Sequence, residues 1–188
     1  MNPLLVNGHK FDMRIYALIT SIDPYILYIY EEGLGRFATE RFIKPDISNK
    51  DRAKMHLTNF SINGQSDEGP IQDIGNGLLS KWKLTELLNY LDQHRELFNK
   101  EDSNSILNCV SDEPGALKNE LWKRIQKLVA KAMIATEPRM YNASYRLGLH
   151  SAFPRRNFGL YGFDIMLSDV GDLKLIEINS SPATGTST

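Results

Sequence analysis

The sequence holds one cysteine, Cys109, which excludes a disulfide framework or a cysteine-based zinc cage within the chain and suits a reducing compartment. It also lacks an excess of either charge. Lys and Arg number 22 against 23 Asp and Glu, a formal net charge of −1. Nothing in that balance points to a nucleic-acid partner held by bulk charge, so any electropositive site has to be local. No apolar run approaches the roughly 20 residues of a membrane helix. There is no internal repeat and no low-complexity tract. The opening residues, MNPLLVNGHKFDMR, lack the basic-then-apolar order of a signal peptide and read like the interior of a longer protein. What is present is a hydrophobic fraction of 41% over 188 residues. That is enough for a core in one domain, or in part of a larger one.

The first third is rich in strand-forming residues. Arg14–Thr20 and Tyr25–Tyr30 are dense in β-branched and aromatic side chains, with turn material at Ser21–Pro24 between them. Glu31–Gly35 reads as a second turn, and Arg36–Phe42 as a returning strand. Residues 43–80 read as a long loop with a short ordered element at His56–Asn63. Leu84, Leu87, Leu88 and Leu91 fall at helical spacing on one face. Leu121, Ile125, Leu128, Ala132 and Met133 form a second helix, which Pro138 is expected to close. Asn99–Gly115 reads as a loop. The end returns to β structure, Leu160–Leu167 and Leu173–Asn179, with a turn at Ser168–Asp172.

Three oxygen-bearing side chains can meet on that last hairpin. Glu177 and Asn179 share a face because strand side chains alternate. A turn centred on Val170–Gly171 puts Asp164 opposite Ile176–Glu177. Two carboxylates and an amide oxygen without sulfur suit a hard cation, Mg²⁺ or Mn²⁺. The neighbours Phe163, Ile165, Leu167, Leu175, Ile176 and Ile178 are apolar, where uncompensated acids are costly. The plainer reading is the solvated face of an antiparallel hairpin, and spacing alone leaves both open.

Near the start, Lys10, Asp12 and Arg14 alternate with Phe11, Met13 and Ile15. One face could offer a phosphate two cations and a ribose one carboxylate. The plainer reading, and the one the pattern alone favours, is a solvent-facing strand with mutually compensating charges. Arg36 could clamp a carboxylate or lie free on the surface. Trp82 and Trp122 read as packing residues. Arg155 and Arg156 read as a solvated pair.

The blocks NPLLVNGHKFDMRIYALITS, YEEGLGRFATERF, MHLTNFSIN, FGLYGFDIML and LKLIEINSSPA, in that order, closely resemble the tubulin–tyrosine ligase-like family. The polyglutamylase branch is the nearer likeness, and the glycylase branch is the harder one to separate. The resemblance implies an α+β fold, the C-terminal lobe of an ATP-grasp enzyme, mostly antiparallel sheet with packed helices. It implies a partial domain over residues 1–188, without the upstream lobe that grips adenine. By itself the chain is then expected to bind ATP weakly or not at all, and to be inactive.

The resemblance further implies that Asp164, Glu177 and Asn179 hold Mg²⁺, and that Lys10, Asp12, Thr58 and Asn59 contact ATP. Arg14 matches a position near the reacting phosphate. Arg36, Phe60, Ser61 and Lys83 match positions that handle the incoming amino acid or the acceptor. The family usually has Tyr where this chain has Phe60, which removes a hydroxyl there. The implied reaction is ATP-dependent ligation of an amino acid, glutamate first among candidates, to glutamate side chains of tubulin's acidic C-terminal tail. Lys81, Lys83, Arg155 and Arg156 join Arg14 and Arg36 as cations that could receive that tail. No nucleic-acid or membrane partner is expected. The implied location is the cytoplasm and cytoskeleton, with cilium, flagellum and basal body included. The alternatives are another ATP-grasp ligase or a truncated, inactive microtubule-binding module.

Overall fold

The alternation in His9–Ile22 builds the strand on which the sheet rests. In a computed structural model, which describes residues 2–49, 51–56, 58, 79–148 and 158–184, this stretch is β2. Phe11, Met13, Ile15, Ala17 and Ile19 point into the core, none more than 2% exposed. Around β2 stand β1 (Leu5–Val6), β3 (Tyr25–Phe37), β4 (Lys81–Lys83), β5 (Gly159–Leu167) and β6 (Leu173–Asn179). The main path runs β4-β3-β2-β5-β6, with β1 paired to β2 off it, and every pairing is antiparallel. Among the described residues no helix is long and apolar enough to cross a membrane.

The expected turn at Glu31–Gly35 is absent. β3 runs through it to Phe37, and 38–42 lie outside the strand. The two glycines serve close approach instead of chain reversal. A Cβ on Gly33 would overlap the Arg14 carbonyl oxygen, and one on Gly35 would lie 2.8 Å from Leu87 Cδ2. The Glu32 carboxylate is bonded by the Gly33 N–H at 2.9 Å, the Thr85 N–H at 3.0 Å and the Thr85 hydroxyl at 2.7 Å. It therefore ties β3 to the start of the helix at Leu84–Gln93. Gly33→Ala drives a methyl group against backbone that cannot swing aside. We expect a loss of about 2–3 kcal/mol, read as a lower urea midpoint.

Helix α1 is a single turn, Ala53–His56. In α2 (Leu84–Gln93), Leu84, Leu87, Leu88 and Leu91 are all buried, as their spacing requires. Helix α3 spans Ala116–Arg146 and buries Leu117, Leu121, Ile125, Val129 and Met133. Pro138 does not close it. The residue lies on the solvent side, beside exposed Ile134, where water can bond the carbonyl that its missing N–H leaves free. The Thr136 hydroxyl also donates to the Met133 carbonyl at 2.8 Å. Between the helices, the expected loop carries 3₁₀ turns at Arg95–Leu97 and Ile106–Cys109, and Ile106 is fully buried.

The N-terminus of α3 has no cap of its own. Asp92, from the end of α2, accepts from the backbone N–H groups of Gly115 (2.6 Å), Leu117 (3.0 Å) and Lys118 (3.3 Å). Burial would raise its carboxyl pKa, but these N–H groups and Arg95 outweigh it and hold the value below the usual range. A depressed folded value means that the stabilisation is present above the unfolded pKa and is lost as pH falls through the folded one. Asp92→Ala should therefore lose about 1–2 kcal/mol near neutrality. The gap between the two proteins should narrow in acid, as urea titrations at several pH values would show.

Helices α2 and α3 pack on one face of the sheet, against Phe37, Phe163, Ile165 and the inward residues of β2. Trp82 joins this packing, its ring 5.2 Å from both Phe37 and Tyr90. The architecture is α+β, with its charged side chains gathered on the opposite face of the sheet.

Candidate nucleotide and metal face

Antiparallel partners share a face, so the register decides which polar residues meet. One row runs Lys81–Arg36–Asp12 across β4, β3 and β2. The next runs Lys83–Leu34–Arg14–Asp164–Glu177 across five strands. A third runs Tyr16–Gly162–Asn179. Residues assigned separately from the sequence thus stand side by side.

Four of them form a continuous ionic chain. Arg14 holds both oxygens of Asp164, through Nε to Oδ1 and through Nη2 to Oδ2 at 3.0 Å. Arg36 holds both oxygens of Asp12, Nε to Oδ1 at 2.8 Å and Nη2 to Oδ2 at 2.5 Å. Its Nη2 also reaches Asp164 Oδ2 at 2.9 Å. The Thr58 hydroxyl donates to Asp12 Oδ2 at 2.7 Å. Exposure is 1% at Asp12 and Asp164, 7% at Arg14 and 4% at Arg36. Two guanidinium groups against two carboxylates leave the chain neutral, the condition under which such burial is tolerable.

Burial opposes the charge on Arg36, but Asp12 and Asp164 outweigh it and raise its pKa. Burial likewise works to raise the pKa of Asp164, and Arg14 and Arg36 overcome it and lower the value. Beside them, burial lowers the pKa of the Lys10 ammonium, against a partial restoring pull from Asp12. Asp12, Arg14, Arg36 and Asp164 thus form a set of fixed charges in a water-poor setting.

At its far end, Asp164 lies opposite Glu177, as the turn position predicts, and a bulge leaves Ile176 unpaired. The Asn179 amide nitrogen donates to Glu177 Oε1 at 3.1 Å. The apolar surroundings expected here are found on β5, where Phe163, Ile165 and Leu167 are at most 1% exposed, and not on β6. Edge strand β6 leaves Leu175 37%, Ile176 53% and Ile178 36% exposed. Glu177 is exposed, and Asp164 is already neutralised by arginines. Burial therefore does not compel a cation at this point.

The donor set still fits one. Among the described residues, Asp164 Oδ2 is taken by two guanidinium contacts and Oδ1 accepts from Arg14, and each carboxylate oxygen has two acceptor directions. That leaves room on Asp164 Oδ1, the Glu177 carboxylate and the Asn179 carbonyl oxygen, all hard donors. Among the described residues no three His, Cys, Asp or Glu side chains form a cage, so an amide has to serve as the third protein ligand.

Two lysines on β4 differ in burial. Lys83, singled out from the sequence, is exposed and opens α2. Lys81, read as one of several cations that could receive an acidic tail, is 5% exposed and in register with Arg36. Alternation around Trp82 was the available signal for putting both on the charged face. Asn59, Phe60, Ser61, Arg155 and Arg156 lie outside the described residues. An apolar hollow between α3 and β2–β5, lined by Ile19, Met140, Leu147, Phe158 and Tyr161, faces away from these charges.

The sequence profile of the tubulin-tyrosine ligase family matches residues 1–107 and 94–188. The chain is 33% identical to tubulin polyglutamylase TTLL6 of Mus musculus, over 98% of this chain and 20% of that protein. It is 34% identical to tubulin polyglutamylase TTLL5 of Homo sapiens, over 97% and 12% respectively. It is 36% identical to tubulin polyglutamylase TTLL13 of Homo sapiens, over 96% and 20%. The chain thus spans a fifth or less of the length of these relatives.

Proposed function

The chain belongs to the tubulin-tyrosine ligase family, and on that premise we propose that it carries the phosphate and metal end of an ATP-dependent tubulin ligase. The observation that supports this best is the buried Asp12–Arg36–Asp164–Arg14 chain, continued on one face by Glu177 and Asn179. It is a rigid, charged surface with oxygen donors at one end and cations along its length. Glutamate is the amino acid proposed, and a glutamate side chain of a tubulin tail the acceptor, in keeping with relatives named tubulin polyglutamylases. The site of action is then microtubules, in the cytoplasm and in cilia or flagella.

A carboxylate is a poor electrophile. In the proposed reaction an acceptor carboxylate oxygen attacks the γ-phosphorus of ATP, ADP leaves, and an acyl phosphate forms. The amine of the free amino acid attacks the acyl carbon, loses a proton, and expels phosphate. That phosphate retains one oxygen of the original carboxylate. Charge on the transferring phosphoryl group is offset by fixed cations, here Arg14 and Lys10, which need no reorganisation during the step. Arg36 and Lys81 would orient the carboxylates of the amino acid and acceptor, with Lys83 at the rim. Asp12 and Thr58, with Asn59, would fix the nucleotide. Asp164, Glu177 and Asn179 would hold Mg²⁺ or Mn²⁺, which neutralises phosphate charge and aligns the reacting oxygens when bound.

The test is mass spectrometry of tubulin after incubation with a protein carrying this chain, MgATP, and glutamate, glycine or tyrosine in separate reactions. Mass increments of glutamate on tail peptides are expected. Glycine increments alone would move the proposal to a glycylase. No increment with any of the three, from a protein that also carries the upstream lobe, would end it.

A further inference from the structure

After β6 the chain turns back over the charged face. The Tyr16 hydroxyl, on β2, donates to the Ala183 carbonyl at 2.9 Å, across 167 positions of sequence. Between them lies Gly162 on β5, in register with Tyr16 on one side and Asn179 on the other. A Cβ on Gly162 would lie 2.7 Å from Pro182 Cβ, 3.0 Å from Arg14 Cδ and 3.3 Å from Arg14 Nε. Pro182 therefore seats directly on the bare backbone of Gly162, beside the stem of the arginine that holds Asp164.

Ser180–Ala183 is thus a strap crossing from the edge of the sheet to its centre. It leaves from Asn179, the last residue of an exposed edge strand that is already broken by a bulge at Ile176. Nothing on the outer side of β6 pairs with it among the described residues. A strand end of that kind frays unless something fixes it.

We propose that Tyr16 and Gly162 are positioning residues. They anchor the strap, and the strap fixes Asn179 and Glu177 relative to Asp164 and so sets the affinity of the face for a divalent cation. This rests on the proposed assignment of that cation to Asp164, Glu177 and Asn179. Tyr16 is given no contact with substrate in the proposed reaction; its part is to hold the strap through the Ala183 carbonyl. One hydrogen bond of this kind corresponds to roughly a three- to ten-fold change in a binding constant. Gly162→Ala should do more, because the added methyl group displaces both Pro182 and Arg14.

The experiment is Mn²⁺ binding to the full chain, followed by the loss of the free-ion EPR signal, with no nucleotide and no turnover. Tyr16→Phe removes the bond to the Ala183 carbonyl and Pro182→Gly loosens the seat on Gly162 one residue before it, so both act on the same strap. Each should raise the Mn²⁺ dissociation constant about three- to ten-fold, and together by little more than either alone. Unchanged Mn²⁺ affinity in both, beside an unsubstituted chain that binds, overturns the strap's role and leaves the cation site standing. So does an additive double variant. Lowered thermal stability with unchanged affinity also counts against the proposal, since a merely structural contact would behave that way. An unsubstituted chain that takes up no Mn²⁺ overturns the cation assignment itself, and this inference with it.

Discussion

Arg36→Met is expected to destabilise the chain by about 3–5 kcal/mol, the range seen when one partner of a buried ion pair is removed. Arg36 joins the two halves of the ionic chain. Its Nε and Nη2 serve Asp12, and the same Nη2 serves Asp164. Without it, Asp12 keeps the Thr58 hydroxyl and the pull of the half-buried Lys10 ammonium, and Asp164 keeps Arg14, so the four-membered chain is left one positive charge short. Methionine fills much of the volume, which separates loss of charge from loss of packing. Arg36→Lys should recover only part of the stability, because an ammonium cannot make the bidentate contact and reach a second carboxylate at once. Urea unfolding at neutral pH measures both.

The same network predicts acid sensitivity. The Asp164 pKa is lowered, so its contribution is fully present above the usual carboxylate range, near 4. It is lost as pH falls through the depressed folded value. The unsubstituted chain should hold its stability down to mildly acidic pH and then lose it more steeply than Arg36→Met does.

Glu177→Gln should leave folding intact and remove activity. Glu177 is exposed, and its hydrogen bond from the Asn179 amide survives in the amide side chain. The urea midpoint should therefore stay where it is. A carboxylate that holds a catalytic cation is a different matter. Losing its charge should lower the ligation rate by about 10²- to 10³-fold, on the scale of one electrostatic contact to developing charge. Asp164→Asn provides the contrast. It breaks the pairing with both arginines, so stability and rate should fall together. A Glu177→Gln protein with normal turnover would remove Glu177 from the site.

Much of this was legible in the sequence because it depends on short-range period. Alternation in Lys10–Ile15 correctly divides charged from core residues. Leucine spacing gives the buried stripe of α2, and the Val170–Gly171 turn puts Asp164 opposite Glu177. What was hidden depends on residues far apart in the chain. Nothing in a linear reading joins Arg36 to both Asp12 and Asp164, or Tyr16 to Ala183. Glu31–Gly35 reads as a turn because glycine supplies both chain reversal and close approach, and only the neighbours distinguish them. Pro138 reads as a stop because a linear sequence does not show that it faces solvent. The apolar character of Leu175, Ile176 and Ile178 suggests burial, whereas β6 is an edge strand. The cation proposed at Asp164, Glu177 and Asn179 therefore rests on the oxygen donors those side chains offer, with desolvation contributing little.

The central claim is that this charged face serves activation of a carboxylate by phosphoryl transfer. It is tested most directly with an acceptor tail peptide whose glutamate side chains carry ¹⁸O, incubated with a protein bearing this chain, MgATP and glutamate. The account predicts one ¹⁸O in each phosphate released during ligation, and no such transfer from Glu177→Gln. Ligation that proceeds with phosphate free of ¹⁸O would contradict it.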